Sequence, residues 1–391
     1  MGLAMKFDDT EIAFSDKTDY DLRRAQWLFS LVGSPAMVKL GSGAVSLALG
    51  LHLPVKGLIR QTVFKQFCGG ESIEKSEGTI ARLYASDIRT ILDFSAEGKE
   101  TESDFNRAAK ETMASIEKAK EDLRIPFGVF KPTGLARMGL LEKLNKGERL
   151  SKEEEKEKDL VMLRIRGIIL SGVEHDVPVH VDAEETWIQD AVDDIVYDLM
   201  LEFNREKVMV FNTVQLYRND RLDYLKNTID RAKKDGIKSG FKLVRGAYME
   251  KERERAEKMG YPSPIHKTKE DTDRDYDLAI DVCLDNYPDV SVFAGTHNEK
   301  SSAHLAEEVI KRGIDKGDMR IFFAQLYGMS DHISYNLAKQ GFNVLKYVPY
   351  GPISDVMPYL IRRAEENTSV AGQTGRELSL IDQELKRRAK T

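Results

Sequence analysis

The chain alternates short apolar runs with longer stretches in which apolar residues recur every three to four positions. Short runs of this kind are typical of buried strands, and the longer periodic stretches are typical of amphipathic helices. After a region to about residue 85 that is predicted to be helical, the predicted strands are IRTILDF (88–94), PFGVFKP (126–132), VPVHVDAE (177–184), VMVFNTV (208–214), GFKLVRGAY (240–248), VSVFAGT (290–296), IFFAQLYG (321–328) and FNVLKYVP (342–349). Eight strands separated by helices predict a parallel sheet closed into a (βα)8 barrel.

Several predicted strands end in polar or aromatic residues. In (βα)8 barrels the active site lies at the carboxyl ends of the strands, so these side chains are expected to converge there. The residues concerned are Asp182, Glu184, Asn212, Gln215, Arg245, Tyr248, His297, Asn298 and Tyr347.

The segment YGPISDVMPYLIRRAEEN (350–367) predicts a turn followed by a helix. At about 100° per residue, Tyr359, Arg362, Arg363 and Glu366 share about a third of the helix circumference, and apolar residues take the opposite side. Taken alone, this pattern favours a surface helix with weak solvated ion pairs. The other interpretation is a polar binding face.

Composition limits the classes of function. With 41% hydrophobic and 32% charged residues, the chain is neither disordered nor fibrous, and its net charge of -6 without a basic stripe argues against a nucleic-acid partner. Two cysteines, Cys68 and Cys283, provide neither a disulfide framework nor a zinc-ligand set. A reducing compartment is therefore expected.

The amino terminus has neither the pattern of a signal peptide nor that of a transit peptide. The most apolar stretch, LGSGAVSLALGLHLPV (40–55), is shorter than the roughly 20 residues that span a bilayer. It is predicted to be a buried helical segment, with interfacial membrane contact as the alternative. The charged stretch at 145–167 is predicted to be a solvated helix or insertion rather than a binding tail.

Three local motifs are weak when each is taken alone. GSGAVS (41–46) lacks the third glycine and the later acidic residue of a dinucleotide fingerprint, so no Rossmann domain is predicted. FKLVRGAYMEKE (241–252) and GTHNEKSS (295–302) end strands with donors that suit a phosphate or a flavin ring.

A metal site is a further alternative. Alternation along a strand places His180, Asp182 and Glu184 on one face, and with His297 these residues could form the metal site of a barrel hydrolase. The second histidine group that such sites usually need is not evident. The alternative is that these residues are simply polar side chains in the interior of the barrel that bind no metal.

Taken together, the motifs resemble the proline dehydrogenase family from about residue 85 to 370. The blocks that carry the resemblance are TILDFSAEG, FGVFKPTGL, VDAEETWIQ, FNTVQLY, KLVRGAY, GTHN, QLYGM and YVPYGP with PYLIRRAEEN, preceded by GLIRQTVFKQFCGGES. The resemblance implies a distorted (βα)8 TIM-type barrel with an N-terminal helical extension. The expected domains are a helical region at 1–85, a catalytic barrel at 86–370 with a charged helical insertion at about 145–167, and a helical tail at 371–391.

The resemblance implies FAD-dependent oxidation of L-proline to Δ1-pyrroline-5-carboxylate by hydride transfer from C5 to the flavin N5. Arg362, Arg363 and Lys131 would bind the proline carboxylate, and Glu366 would lie near the amine. Glu97 matches the family's acidic residue that pairs with an arginine of the last helix and closes the site.

The same resemblance implies the remaining pocket residues. Asp182 matches an aspartate of the family pocket, while Tyr248, Leu326, Tyr347 and Tyr359 would form the wall around the proline ring. Hydroxyproline-preferring relatives tend to have a smaller residue at the position of Tyr347. The expected activity is therefore on proline, with 4-hydroxyproline oxidation as the alternative.

Matching positions also imply a flavin site. In bifunctional bacterial members an arginine stands at the position of Lys242 and a glutamine at that of Asn212. Both positions therefore keep the same chemical type of side chain, a cation and an amide, but the reduction potential of the flavin is expected to differ. The expected FAD-binding residues are Asn212, Gln215, Lys242, Arg245, Gly246, Ala247, Thr296, His297 and Asn298.

The resemblance also implies partners. Reduced FAD is expected to pass electrons to a quinone, through transient contact with a membrane surface, and a separate pyrroline-5-carboxylate dehydrogenase is expected downstream, since 391 residues leave no room for an aldehyde dehydrogenase domain. The expected location is cytoplasmic, with a peripheral position at the inner face of the membrane as the alternative.

The substrate amine must be neutral before hydride leaves, and no strong general base is obvious, so solvent or desolvation would serve. A metal-dependent hydrolase and a non-catalytic helical scaffold are the competing functions.

Overall fold

The computed structural model describes residues 5–32, 56–95, 100–369 and 373–390, with the backbone alone for 32, 56, 364–369 and 373–374. The apolar stretch at 40–55 and the GSGAVS motif lie outside these residues. All eight predicted strands are confirmed. Their bounds are β1 Ile88–Phe94, β2 Gly128–Phe130, β3 Val179–Val181, β4 Val210–Gln215, β5 Ser239–Val244, β6 Val290–Gly295, β7 Ile321–Leu326 and β8 Val344–Tyr350.

Helices precede the first strand and separate the others, and the N-terminal region is helical where it is described, as predicted. In chain order they are α1 Thr10–Ala13, α2 Asp19–Val32, α3 Lys56–Ile59, α4 Lys65–Phe67, α5 Glu77–Tyr84, α6 Glu102–Ala119, α7 Met138–Asn145, α8 Lys152–Glu174, α9 Thr186–Phe203, α10 Arg221–Asp235, α11 Met249–Met259, α12 Lys269–Asp285, α13 Glu299–Lys311, α14 Asp331–Lys339, α15 Ile353–Ser369 and α16 Gln373–Arg388. A π-helical segment, Arg60–Phe64, joins α3 to α4. No helix in the described ranges is apolar and long enough to cross a bilayer.

The strands form one parallel sheet in the order β1-β8-β7-β6-β5-β4-β3-β2. The chain divides into two compact units, unit 1 (Met1–Met5 and Lys99–Ala324) and unit 2 (Lys6–Gly98 and Gln325–Thr391), and β7 belongs to both. In unit 1, consecutive strands from β2 to β6 pair in parallel. In unit 2, β1 pairs with β8. The domain limits expected from the sequence remain a prediction.

Aromatic rings fill the interior of unit 1. The ring of Phe127 makes edge contacts with His180, Phe211, Phe293 and Phe322 at centroid distances of 4.8 to 5.8 Å. The His180 imidazole is stacked on Phe211, with centroids 4.4 Å apart and planes 4° from parallel. Burial in this cluster lowers the pKa of His180 well below its usual value.

The predicted charged helix is confirmed as α8. Ser151 and Glu154 form a capping box at its start, since the Ser151 Oγ accepts from the Glu154 N–H at 3.2 Å and the Glu154 carboxylate accepts from the Ser151 N–H at 2.9 Å. Farther along, Val161, Ile165 and Ile168 are buried. The stretch at 145–167 thus includes most of α8, which together with α7 lies between β2 and β3.

Unit 2 has its own hydrophobic core. It consists of apolar residues from the N-terminal helices, from α15 and from α16, together with Cys68. Tyr359 belongs to this core and Leu326 packs against it. Helix α15 contains Pro358 in its interior. The helix that carries the two arginines is therefore fixed by apolar residues such as Met357 and Leu360, as its periodicity predicts. Tyr359, which the same periodicity places on the polar face, is instead part of the core.

Candidate functional site

In unit 1, Asp182 lies just beyond the end of β3 between two lysines. The Lys131 Nζ, which follows β2, is 3.1 Å from the Asp182 Oδ2, and the Nζ of Lys242, within β5, contacts the Oδ1. Burial raises the pKa of the Asp182 carboxyl, but the two ammonium charges outweigh this effect and lower it to about 2. Asp182 is therefore charged at neutral pH, and this corner of unit 1 has one positive charge in excess.

This geometry does not suit the hydrolase alternative. Both carboxylate oxygens of Asp182, which a metal ion would need, contact lysine ammonium groups. His180 lies among the aromatic rings of the core, where both of its ring nitrogens are buried. In the described part of the chain, no cluster of three histidine, cysteine or acidic residues could hold a metal.

Glu184 is a second buried carboxyl beside Asp182. Its Oε1 accepts from the Thr133 N–H at 3.0 Å and from the Thr133 Oγ1 at 2.6 Å, and its Oε2 accepts from the Tyr248 hydroxyl at 3.0 Å. Burial raises the pKa of Glu184 to about 7, against the lowering effect of the Thr133 hydrogen bonds. The sequence indicates Glu184 as one of the strand-end polar residues and as an alternative metal ligand, without a role in the predicted substrate site, and the structure places it in contact with a predicted substrate residue.

The expected FAD-binding residues lie at the carboxyl ends of three neighbouring strands, β4, β5 and β6. On β4, the Asn212 amide donates to the Asp193 carboxylate and to the Tyr224 hydroxyl, each at 2.9 Å. The Gln215 amide donates to the Glu184 carbonyl oxygen at 2.6 Å and accepts from the Ala247 N–H at 3.3 Å. The Gln215 amide thus links the segments that follow β3 and β5, and the Asn212 amide links β4 to α9 and α10.

The Arg245 guanidinium has three polar neighbours. It donates to the Asp273 carboxylate at 2.6 Å, to the Thr296 Oγ1 at 2.7 Å and to the Ser301 Oγ at 2.9 Å, and it lies over the Tyr276 ring. The next residue, Gly246, has a φ of 142°, and a Cβ there would be 2.4 Å from the Tyr217 ring. Only glycine fits this turn.

The end of β6 leads directly into α13. The Thr296 Oγ1 accepts from the Asn298 N–H at 3.1 Å, and the Asn298 side chain caps α13 by accepting from the Lys300 and Ser301 N–H groups. Between them, His297 is partly exposed. Together with Lys242 and Arg245, this edge is rich in N–H and cationic donors. Such a donor set suits the acceptor atoms of a flavin ring and a pyrophosphate.

Unit 2 has the other predicted substrate residues. Leu326 ends β7, and Tyr347 lies within β8. On α15, Tyr359 and Arg363 are 4% and 8% exposed, and the Arg363 guanidinium lies over the Tyr359 ring at 5.4 Å. Arg362 is half-buried beside them. The interpretation of this face as a solvated surface is wrong, because burial on this scale removes the arginine from bulk water.

Two predicted residues cannot be placed by their side chains. Glu97 lies outside the described residues. Glu366 lies on α15, in the stretch for which only the backbone is described. Their predicted roles remain predictions.

Sequence reasoning missed a buried cluster in unit 2. The Asp331 carboxylate lies between the Lys346 Nζ at 2.8 Å and the Lys17 Nζ at 3.3 Å. Burial lowers the pKa of Lys346, whereas the two ammonium charges lower that of Asp331 despite its burial. The available signal was Lys346 itself, a charge in the middle of the apolar run FNVLKYVP.

The comparisons with known proteins agree with the resemblance. A family model described as proline dehydrogenase matches residues 76–376. The carbapenem antibiotics biosynthesis protein CarD of Pectobacterium carotovorum subsp. carotovorum is 35% identical over 85% of this chain and 86% of its own length. The mitochondrial proline dehydrogenase 1 of Arabidopsis thaliana is 30% identical over 98% and 86%. A hydroxyproline dehydrogenase of Xenopus laevis is 31% identical over 98% and 90%.

Solved structures are similar in fold. Proline utilization A from Bdellovibrio bacteriovorus, inactivated by N-propargylglycine, matches with a TM-score of 0.72 and 22% identity, covering 93% of this chain and 38% of that one. The same protein from Corynebacterium freiburgense matches with a TM-score of 0.67 and 21% identity over 83% and 33%. This chain thus spans about a third of the length of those structures. The predicted (βα)8 barrel is confirmed.

Proposed function

Because the chain belongs to the proline dehydrogenase family of oxidoreductases, we propose that it oxidises L-proline to Δ1-pyrroline-5-carboxylate with FAD as cofactor. One observation carries the assignment of substrate. Two consecutive arginines, Arg362 and Arg363, lie on a helix fixed by its apolar face, and Arg363 is almost wholly buried. Buried guanidinium groups suit a carboxylate ligand, which they bind with paired hydrogen bonds.

The proposal gives each predicted substrate residue a role. Arg362 and Arg363 would bind the carboxylate, and Leu326, Tyr347 and Tyr359 would provide an apolar wall. Lys131, which contacts Asp182 at 3.1 Å, would be a further cation, and Tyr248 would be a further part of the wall. Glu366 would lie near the substrate amine. Glu97 would pair with an arginine of the last helix and close the site.

The strand ends of β4, β5 and β6 would hold the FAD. The proposed binding residues are Asn212, Gln215, Lys242, Arg245, Gly246, Ala247, Thr296, His297 and Asn298. The bound flavin supplies the acceptor for the hydride that leaves proline C5. The protein would orient the substrate by binding the proline carboxylate. It would also hold the proline ring against the apolar wall, which excludes water. Lys242, buried and paired with Asp182, keeps a positive charge at this edge.

The electron acceptor and the setting are part of the same proposal. We propose a quinone as acceptor, which is reached by transient contact with a membrane surface from a cytoplasmic location, and a separate pyrroline-5-carboxylate dehydrogenase for the product. Δ1-Pyrroline-5-carboxylate is an imine in equilibrium with an aldehyde, so its further oxidation requires an enzyme of that class.

Oxidation of 4-hydroxyproline is the second candidate. It is favoured by the similarity to the Xenopus laevis hydroxyproline dehydrogenase over 98% of this chain. Tyr347 argues for proline, because a phenol ring at a position that is expected to contact the substrate ring leaves less room for a hydroxyl group than a smaller side chain would. A comparison of kcat/KM for the two substrates decides between them. We expect proline to be preferred at least tenfold.

The test of the proposed function is an absorption spectrum of the purified protein, recorded without oxygen before and after L-proline is added. Flavin bands that bleach with proline are expected. A protein that stays colourless and inert after FAD is supplied would contradict the proposal.

Arg362→Met should then raise the KM for proline with a smaller change in kcat, whereas the exposed Arg23→Met on α2 should leave both unchanged. A normal KM in Arg362→Met would refute the carboxylate assignment.

A further inference from the structure

The proposed oxidation requires a group that removes a proton from the substrate. The nitrogen of proline is an ammonium at neutral pH, and an ammonium has no lone pair with which to form the imine as hydride leaves C5. A proton acceptor within hydrogen-bond reach of the nitrogen, directly or through one intervening group, would take this proton from the bound substrate. Tyr248, which the proposed function places against the proline ring, is such an intervening group.

The Tyr248 hydroxyl connects the proposed substrate position to a carboxyl group. It donates to the Glu184 Oε2 at 3.0 Å, and both side chains are buried. The other carboxyl nearby, Asp182, is held in its charged form by Lys131 and Lys242. Asp182 and Glu184, two residues apart, thus differ in their protonation near neutral pH. Such a pair is common where one of the two carboxyls exchanges a proton.

We propose that Glu184 accepts the proton of the substrate ammonium through the Tyr248 hydroxyl. This inference rests on the proposed function. One N–H bond of the ammonium breaks and its electron pair stays on nitrogen. The proton bonds to the Tyr248 oxygen while the phenolic proton moves to the Glu184 Oε2. An ammonium and a carboxylate thereby become a neutral amine and a neutral carboxylic acid, and Glu184 returns the proton to water after the product has left.

The surroundings of Glu184 suit this exchange. Its Oε1 is held by the N–H and the hydroxyl of Thr133, so the carboxyl cannot rotate away from Tyr248. The charged neighbours that act on it are Glu185, which disfavours the carboxylate, and Lys131, which favours it. With burial as the largest effect, the pKa of Glu184 is raised to about 7. A carboxyl with this pKa can both take up and release a proton near neutral pH.

The test is the pH dependence of kcat/KM for L-proline, in the wild type and in Glu184→Gln. The wild type should lose activity tenfold per pH unit below about 7, as Glu184 becomes protonated. Glu184→Gln should be 100- to 10,000-fold slower at pH 7. Its activity should instead rise tenfold per pH unit toward alkaline pH, because only proline that is already neutral in solution can react. Tyr248→Phe should behave in the same way, and the double variant should add little.

Two controls separate proton transfer from a structural role. Glu185→Gln makes the same chemical change at the next residue, which pairs with Lys251 at 2.9 Å. It should keep its activity above pH 7 and move the acid limb to lower pH, because it removes a charge that raises the pKa of Glu184. Tetrahydrofuran-2-carboxylate, which has the carboxylate but no ammonium, should bind Glu184→Gln within threefold of the wild type.

Each result bears on the inference. An acid limb that stays near pH 7 in Glu184→Gln overturns it, as does a loss of activity that is uniform with pH. A tenfold loss of tetrahydrofuran-2-carboxylate binding also overturns it, because Glu184 would then shape the pocket instead of moving a proton. A wild type that binds this analogue but never oxidises proline refutes the proposed function itself.

Discussion

Each unit contains a buried aspartate between two lysines, and the surroundings of the two aspartates differ. In the Asp182 cluster (Lys131, Asp182 and Lys242) an aspartate lies between two lysines at the carboxyl ends of strands. In the Asp331 cluster (Lys17, Asp331 and Lys346) an aspartate lies between two lysines at the start of α14. Each cluster thus has one more positive than negative charge.

Location and neighbours distinguish the two clusters, whereas exposure does not. Each cluster has one partly exposed lysine, Lys131 at 25% and Lys17 at 20%, and one buried lysine, Lys242 at 7% and Lys346 at 0%. Lys131 follows β2 at the carboxyl end of the strand, where the active sites of (βα)8 barrels lie, whereas the Lys17 ammonium is shared between Asp331 and Asp16. The comparison teaches that the lysine-aspartate-lysine pattern does not by itself identify a binding site. The position of the partly exposed ammonium at the strand ends does.

The largest effect is expected from Lys346→Met. It leaves the Asp331 carboxylate buried with Lys17 alone, and the free energy of unfolding should fall by about 3–5 kcal/mol. Urea unfolding followed by circular dichroism measures this change. Lys339→Met, at an exposed lysine on α14, should have no effect. If Lys346→Met is as stable as Lys339→Met, the Asp331 cluster has no structural role and the comparison fails.

Lys131→Met should act on binding instead of stability. The KM for proline should rise about 10- to 100-fold, because the substrate carboxylate loses a cation, while the free energy of unfolding changes by about 1 kcal/mol or less. Steady-state kinetics and urea unfolding on the same sample test both parts. Lys152→Met, at the exposed start of α8, is the matched control. Loss of stability without a change in KM would make the two clusters equivalent.

Acid should weaken the Asp182 cluster over a defined range of pH. The pKa of Asp182 in the folded protein, about 2, lies below its value of 3.8 in the unfolded chain. The Asp182 carboxylate therefore contributes about 2 kcal/mol to the free energy of unfolding. This contribution is complete above about pH 4 and is lost as the pH falls toward 2. The stability difference between the wild type and Asp182→Asn should therefore be constant from pH 7 to 5 and shrink below pH 4. A difference that is constant down to pH 3 would contradict the assigned pKa.

The smallest effect is expected from Lys17→Met. Asp331 keeps its ion pair with Lys346, so the free energy of unfolding should fall by about 1 kcal/mol. Lys6→Met, an exposed lysine in the same N-terminal region, is the control. A loss as large as that of Lys346→Met would show that the N-terminal lysine, and not the lysine in the strand, holds the Asp331 cluster together.

The sequence predicted every strand because parallel strands are buried on both faces and appear as short apolar runs. It predicted some ends poorly. The run at 240–248 was expected to be one strand, but β5 ends at Val244, because Gly246 turns the chain out of the sheet. Apolar patterns indicate burial, and they do not show where hydrogen bonding between strands stops.

The candidate site was predicted unevenly for a physical reason. The positions of Arg362 and Arg363 on α15 follow from local periodicity, which a sequence shows directly. The contacts of Asp182 with Lys131 and Lys242 join residues more than 50 positions apart and depend on how strands pair. The hydrogen bond from Tyr248 to Glu184 is of the same kind. Only a structure shows which distant side chains meet.

The stacked imidazole of His180 has a consequence for spectroscopy. With its pKa far below the usual value and its ring nitrogens buried among phenyl rings, it stays neutral throughout the range in which Glu184 titrates. Its ring-proton resonances should therefore stay at fixed chemical shifts between pH 6 and 8, displaced by the ring currents of Phe127 and Phe211. Movement of those resonances on addition of a ligand would report a change in packing at the centre of the barrel, free of any contribution from protonation.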